Sequence, residues 1–168
     1  MKPELEKIIR EIVKPVPVPG GTLIRKLGTN SGHIYFIEKG VARGYFSSPR
    51  KNSRTNCFKK ENDFIIVPKK KKGDDLRSVL VFEAIEDMIL WDFPDEQFDR
   101  VSEEFIELDY YYRIIYAKGL VENHEFRDLE GDFASEKLNF LRSHYRGLLD
   151  RVHSRISLPL SGKHISLR

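Results

Sequence analysis

Apolar positions in this chain change their period along its length, and each period predicts a kind of element. Between Pro3 and Val13, Leu5, Ile8, Ile9, Ile12 and Val13 recur at helical spacing. That spacing predicts a short amphipathic helix packed on the body of the fold. Pro15, Pro17 and Pro19 follow at alternate positions. Proline fixes φ and lacks a backbone donor, so the helix must stop and the chain must run extended. From Gly21 to about Phe93 short apolar runs, such as Thr22 to Ile24 and Ile34 to Ile37, are separated by turn residues and read as β. Strands are expected over 22–25, 33–38, 41–47, 54–59, 64–67, 78–85 and 88–93, divided by Gly, Pro and Asn turns such as the GTNSG run at 28–32. Many short strands at regular spacing predict a sandwich or roll, with two apolar sheet faces closing one core.

The helical period returns at Pro94-Asp95-Glu96-Gln97, where two acids sit in a first turn and favour the positive end of a helix. Beyond it, Phe105, Leu108, Tyr112, Ile115, Gly119, Glu122, Phe126 and Leu129 alternate spacings of three and four. This predicts a long helix with a coiled-coil-like seam, a face suited to dimerisation. Gly119 would permit close helix approach or a bend. Glu122 would need a basic partner or water. Gly131-Asp132 ends the pattern and sets a domain boundary, with 1–131 on one side and 132–168 on the other. Ser135 is a suitable N-cap for a further helix to about Leu149, burying Leu138, Leu141, Tyr145, Leu148 and Leu149.

Charge changes this picture at one end only. The net charge of the 168 residues is +3, with 40% hydrophobic and 33% charged residues, enough for both a core and a soluble surface. From Phe133 onward there are seven Lys or Arg (Lys137, Arg142, Arg146, Arg151, Arg155, Lys163 and Arg168) against Glu136 and Asp150. A basic segment on a near-neutral body suits a nucleic-acid-binding tail, and equally a solvated helix face. No apolar run approaches the roughly 20 residues that cross a bilayer. The opening MKPELEKIIREIVKP has no signal-peptide core. A single cysteine, Cys57, excludes an internal disulfide and an all-cysteine metal site. A cytoplasmic protein without membrane contact is expected.

Catalytic chemistry has little support. The β region holds one histidine, His33, while His124, His144, His153 and His164 are scattered beyond it. A cupin-like metalloenzyme would need three or four convergent ligands, so neither a metal nor an enzyme is expected. Cys57 reads as a small buried apolar residue in a strand. The chain contains no Gly-rich phosphate loop, G-x-S-x-G elbow or H-E-x-x-H pair.

The stretch from Gly20 to Phe46, GGTLIRKLGTNSGHIYFIEKGVARGYF, resembles the sensory β-roll of the Crp/Fnr family of bacterial transcription regulators. Glu61-Asn62-Asp63-Phe64-Ile65-Ile66 is similar to the stretch ahead of that family's ligand cassette. Glu83-Ala84-Ile85-Glu86-Asp87 is similar to the stretch after it, and Leu148-Leu149-Asp150-Arg151-Val152 to the lead into the helix-turn-helix. The resemblance implies an antiparallel β-roll (a double-stranded β-helix or jelly roll) with an N-terminal helix, a long dimerisation helix and a short helical C-terminal segment. It implies a homodimer through the long helix at Phe105, Leu108, Tyr112, Ile115, Gly119, Phe126 and Leu129. It also implies a small-molecule effector, of unknown identity, held by Phe64, Ile65, Arg77 and Ser78. Tyr112 and Tyr116 would close over it, although rings at this spacing equally serve packing.

Two features depart from the family. Cyclic-nucleotide binders carry a Gly-Glu pair for the ribose and an Arg followed by Ser or Thr for the phosphate. The cassette here, DFIIVPKKKKGDDLRSVLVFEAI, has no Gly-Glu. Aligned on Ala84, Arg77 stands one position early, and a one-residue slip in a strand turns a side chain to the other face. Arg77 is then an exposed arginine or a displaced phosphate ligand. Tight binding of cyclic AMP is not expected, nor is any cofactor. Lys69 to Lys72 would gather an anion or form a solvated loop. The second departure is at the end. Leu158-Pro159-Leu160 is similar to the V-P-L opening of the helix-turn-helix, but a recognition helix needs about ten further residues. Arg142, Arg146, Arg151 and Arg155 are candidate phosphate contacts, which position a protein without reading sequence. Two functions follow: a Crp/Fnr-like regulator that binds DNA, or an effector-binding or interaction module without sequence-specific binding because the recognition helix is missing.

Overall fold

Helix α1 (Pro3–Ile12) begins with a proline in its first turn, where its missing donor costs nothing. Glu4 and Glu6 occupy that turn and Arg10 the last, each matching the helix dipole. The computed structural model describes residues 2–24, 32–46, 55–67 and 80–128, with 139, 142–143, 147–151, 158–160 and 163–165.

Strand β1 (Lys14–Val18) follows α1 directly and pairs with β7 (Met88–Pro94) from Lys14↔Asp92 to Val18↔Met88. The sequence reading expected only an extended run here. Its prolines prove compatible with a strand because β1 is an edge strand, where a missing donor need not break the ladder. The other strands are β2 (His33–Lys39), β3 (Ala42–Phe46), β4 (Thr55–Lys59), β5 (Phe64–Val67) and β6 (Leu80–Ala84). Two antiparallel sheets result, ordered β1-β7-β2-β5 and β4-β3-β6. The strand expected at 22–25 is reduced to one bridge, Leu23↔Glu83.

Strand parity then sorts the side chains. Ile37, Ile65, Met88 and Leu90 point between the sheets, where they meet Ala42, Cys57, Phe82 and Ala84. Ile34 and Phe93 point to the opposite face and pack with Leu5, Phe98, Val101, Phe105 and Leu108 from the helices. Gly40 makes the β2–β3 turn with φ of 102°, and a Cβ there would lie 2.5 Å from Met88 Cγ and 2.9 Å from Met88 Cα. Only glycine suits that position.

After β7 the expected single helix is two. Helix α2 (Asp95–Glu104) ends at Phe105, whose backbone leaves helical space at φ −123° and ψ 89°. Helix α3 (Ile106–Asp128) then runs 23 residues, about 35 Å. Further on, Gly147 adopts φ 74°, a left-handed conformation that glycine reaches without steric cost, and precedes a short α4 (Leu148–Arg151). Most of the helix expected from Ser135 to Leu149 lies outside the described residues. Leu158-Pro159-Leu160 does not open a helix. It is strand β8 (Leu158–Leu160), paired with β9 (Lys163–Ile165) from Leu158↔Ile165 to Leu160↔Lys163. The two residues between them in sequence are Ser161 and Gly162, a composition that favours a two-residue hairpin connection. The architecture is the expected antiparallel β-roll flanked by helices. No helix among the described residues is long and apolar enough to cross a membrane.

Candidate functional site

Antiparallel register on the outer face of the four-stranded sheet builds two apolar rows. Phe36 lies opposite both Phe64 and Trp91, and Ile34 opposite both Ile66 and Phe93. Ile9 of α1, Val13 just past its end, and Leu108, Tyr111, Tyr112 and Ile115 of α3 wall these rows into a groove of about 570 Å³. Such a volume suits a small molecule. The rings are in contact: Phe36 and Phe64 have centroids 5.2 Å apart, and Phe98 lies 5.4 Å from Phe93 and 5.1 Å from Tyr112. Tyr116 stacks on Tyr112 at 6.1 Å.

The charged pair at the groove and its indole are already engaged. Arg10 pairs with Glu6 at 2.7 Å, one helical turn away. The Trp91 indole donates to Glu38 at 2.5 Å. Burial, and then the charge of Asp95, pushes the Tyr112 hydroxyl upward, so it stays protonated. The groove therefore receives a neutral, largely apolar body far better than a phosphate.

Of the six predicted effector residues, the four described do not share one site. Phe64 and Tyr112 line the groove, with Tyr116 beside them. Ile65 is fully buried on the opposite side of its strand, in the core between the sheets. Adjacent strand residues face opposite ways, so Phe64 and Ile65 cannot share a pocket. Arg77 and Ser78 lie outside the described residues.

The described residues of the proposed dimer seam fall in different places. Phe105 and Leu108 are 9% exposed and spend their apolar surface inside the chain. Tyr112 and Ile115 line the groove. Gly119 is half-buried, with no atom within 4 Å of where a Cβ would stand. The side chain of Phe126, and Leu129 altogether, lie outside the described residues. A second apolar stripe points outward instead: Ile106 is 81% exposed, Tyr110 62%, Ile114 47% and Val121 58%. Sequence reasoning missed it because the two stripes are offset by one or two residues on an apolar helix. The available signal was that α3 carries more apolar positions than one face can bury.

Arg151 occupies a second site, at the turns of the roll. Its Nη1 and Nη2 donate to Glu61 Oε2 and Oε1 at 3.0 and 2.7 Å. Nη2 also donates to Glu86 Oε1, and Nε to Glu86 Oε2 at 3.4 Å. The Gly40 amide donates to Glu61 Oε1 at 2.8 Å. The Arg151 fork, helped by the Gly40 amide and opposed by burial, holds the Glu61 carboxyl down at about 2. The same pairing raises the Arg151 guanidinium. Arg151, a candidate for DNA phosphate, is thus bound to the roll. Arg142 is exposed on a helical residue, and Arg146 and Arg155 lie outside the described residues. His33 Nδ1 sits 2.8 Å from Asp92 Oδ1, and burial pushes the adjacent Tyr35 hydroxyl up to about 12.

No family model and no curated protein matches the chain. Solved structures do. A crp/fnr-family protein from Eubacterium rectale matches with a TM-score of 0.65 and 15% identity, over 85% of this chain and 67% of its own. The catabolite activator protein of Thermus thermophilus matches at 0.57 and 18%, over 77% and 60%. The imidazole-bound form of CooA, a CO-dependent transcription factor from Carboxydothermus hydrogenoformans, matches at 0.55 and 13%, over 75% and 51%. The chain thus spans about half to two-thirds the length of these proteins. At such identities the likeness is one of fold. The chain has a Crp/Fnr-like cyclic-nucleotide-binding fold, as its sequence resemblance implied.

Proposed function

On this fold, we propose that the chain is a Crp/Fnr-like transcription regulator, a cytoplasmic homodimer that senses a small effector and binds DNA. The observation that carries the reading is the outward stripe Ile106, Tyr110, Ile114 and Val121 on α3. Apolar residues at helical spacing, left exposed along a long helix, are what a two-fold helix pair covers. The E. rectale and CooA proteins, both named as transcription regulators, share the fold, which supports the regulatory role. The basic segment beyond Phe133 supplies the phosphate contacts.

The effector would sit in the groove beneath α1 and α3. There a neutral, ring-rich molecule would touch both the roll and the helix that carries the dimer face. A ligand favouring one pose of α3 shifts the population of dimer states by its differential affinity. Cyclic AMP does not fit this chemistry, and no tight binding of it is expected. Sedimentation equilibrium at micromolar concentration tests the core of the proposal. A dimer supports it, and a monomer refutes the regulator mechanism.

A second reading is favoured by the β8–β9 hairpin, which stands where the sequence suggested a helix-turn-helix opening. On that reading the dimer is an effector-binding or interaction module without sequence-specific DNA binding. Selection of duplexes from a random library separates the two. Enrichment of one sequence supports the regulator, and uniform, salt-sensitive retention supports the module.

A further inference from the structure

Three turns of the roll meet at one end. Gly40 lies in the β2–β3 turn, Glu61 in the β4–β5 turn and Glu86 in the β6–β7 turn. Glu61 and Glu86 approach from different hairpins and converge on one cation, Arg151 of α4. The contact has direction as well as charge. Arg151 presents its two terminal nitrogens to both oxygens of Glu61, and its inner edge to Glu86. Gly40 fixes Glu61 from behind through its amide. Leu148, in the same short helix as Arg151, is 3% exposed. The short helix therefore buries an apolar side chain as well as making the ionic contact with the roll.

We propose that Glu61 and Glu86 form a socket that latches the basic C-terminal segment onto the roll, and that this latch competes with nucleic-acid phosphate for Arg151. The competition rests on the DNA-binding reading given above; the latch does not. A guanidinium meets carboxylate and phosphate through the same two-pronged geometry. Arg151 cannot serve both at once. While latched, one cation of the basic segment is withheld from nucleic acid and the segment is tied to the roll. Once released, the cation and the segment are both available.

The test combines amide hydrogen exchange over residues 148–151 with binding of a short DNA duplex of arbitrary sequence, read by fluorescence anisotropy. Glu61→Gln with Glu86→Gln keeps an acceptor for the Gly40 amide and removes both charges. This variant should exchange faster at 148–151, bind duplex about tenfold tighter at low salt, and show a salt slope steeper by about one. Removing two acids also tightens DNA binding non-specifically, so the cycle is closed in an Arg151→Ala background. There the same two substitutions should give little or no gain. Arg151→Ala alone should raise exchange at 148–151 while the exchange of β2 and β7 stays as in the parent protein. An equal gain with and without Arg151 would overturn the competition. Unchanged exchange in both variants would overturn the latch. Raised exchange with no duplex binding by any form would overturn the DNA reading, and the competition with it, while the latch stands.

Discussion

Glu61 is ionised far below the ordinary carboxylate range because its charge is shared by a guanidinium and a backbone amide. A carboxyl depressed in the folded state stabilises the fold fully above its unfolded value, and that stability is lost as pH falls through the folded value. The relevant window runs from the ordinary value of 4.5 down to about 2. Urea midpoints of the parent protein should therefore fall more steeply across that window than those of Glu61→Gln. Near neutrality the substitution should cost about 1 kcal/mol, since both partners remain about one-third exposed and are screened. Trp91 offers another check at this scale. It is the single tryptophan of the chain and lines the groove. A neutral aromatic ligand should quench or shift its emission saturably, and cyclic AMP should leave it unchanged. Trp91→Phe keeps the row apolar and should abolish the signal without unfolding the protein. The Arg151 fork was not legible in the sequence, because its partners stand 65 and 90 positions away. No local pattern encodes such a meeting.

At the scale of elements, α3 has two apolar faces with different destinations. One packs Leu108 on the roll and sets Tyr112 and Ile115 at the groove; the other leaves Ile106, Tyr110 and Ile114 outside. A charge on the outward face should separate a dimer without touching the fold. Ile114→Glu is expected to raise the dimer dissociation constant at least about a hundredfold, as loss of a central apolar contact does. Its thermal midpoint at a concentration where both proteins are monomeric should match the parent's. Retention of a full-strength dimer would move the interface elsewhere. The roll's strands were legible because the short continuous apolar runs Ile34 to Ile37 and Phe64 to Val67, bounded by turn residues, report strands covered on both faces. The α2–α3 break was not. Position 105 carries phenylalanine, not glycine or proline, and it leaves helical geometry while burying its ring among Leu5, Val101 and Leu108. Tertiary packing overrode local propensity there. The β8–β9 hairpin was misread because three residues, Leu-Pro-Leu, carry too little periodicity to separate a strand from a helix start.

For the whole molecule, the order of helix, roll and long helix was readable because prolines end the first helix and a helical period returns after the last strand. What joins these parts in space was not, since the groove arises only when α1 and α3 lie across the same sheet face. The prolines at positions 15 and 17 stand on the outermost strand of the larger sheet, and alternate residues of a strand direct their backbone amides to the same side. That rim offers no hydrogen at either position, so a neighbouring polypeptide cannot zip onto it. In a crowded solution the sheet would otherwise be a template for stacking molecule upon molecule. Replacing both prolines by valine should preserve the secondary structure by circular dichroism and yet make the protein scatter light with time at concentrations the parent tolerates. A double variant that stays clear would mean that some other feature guards the rim.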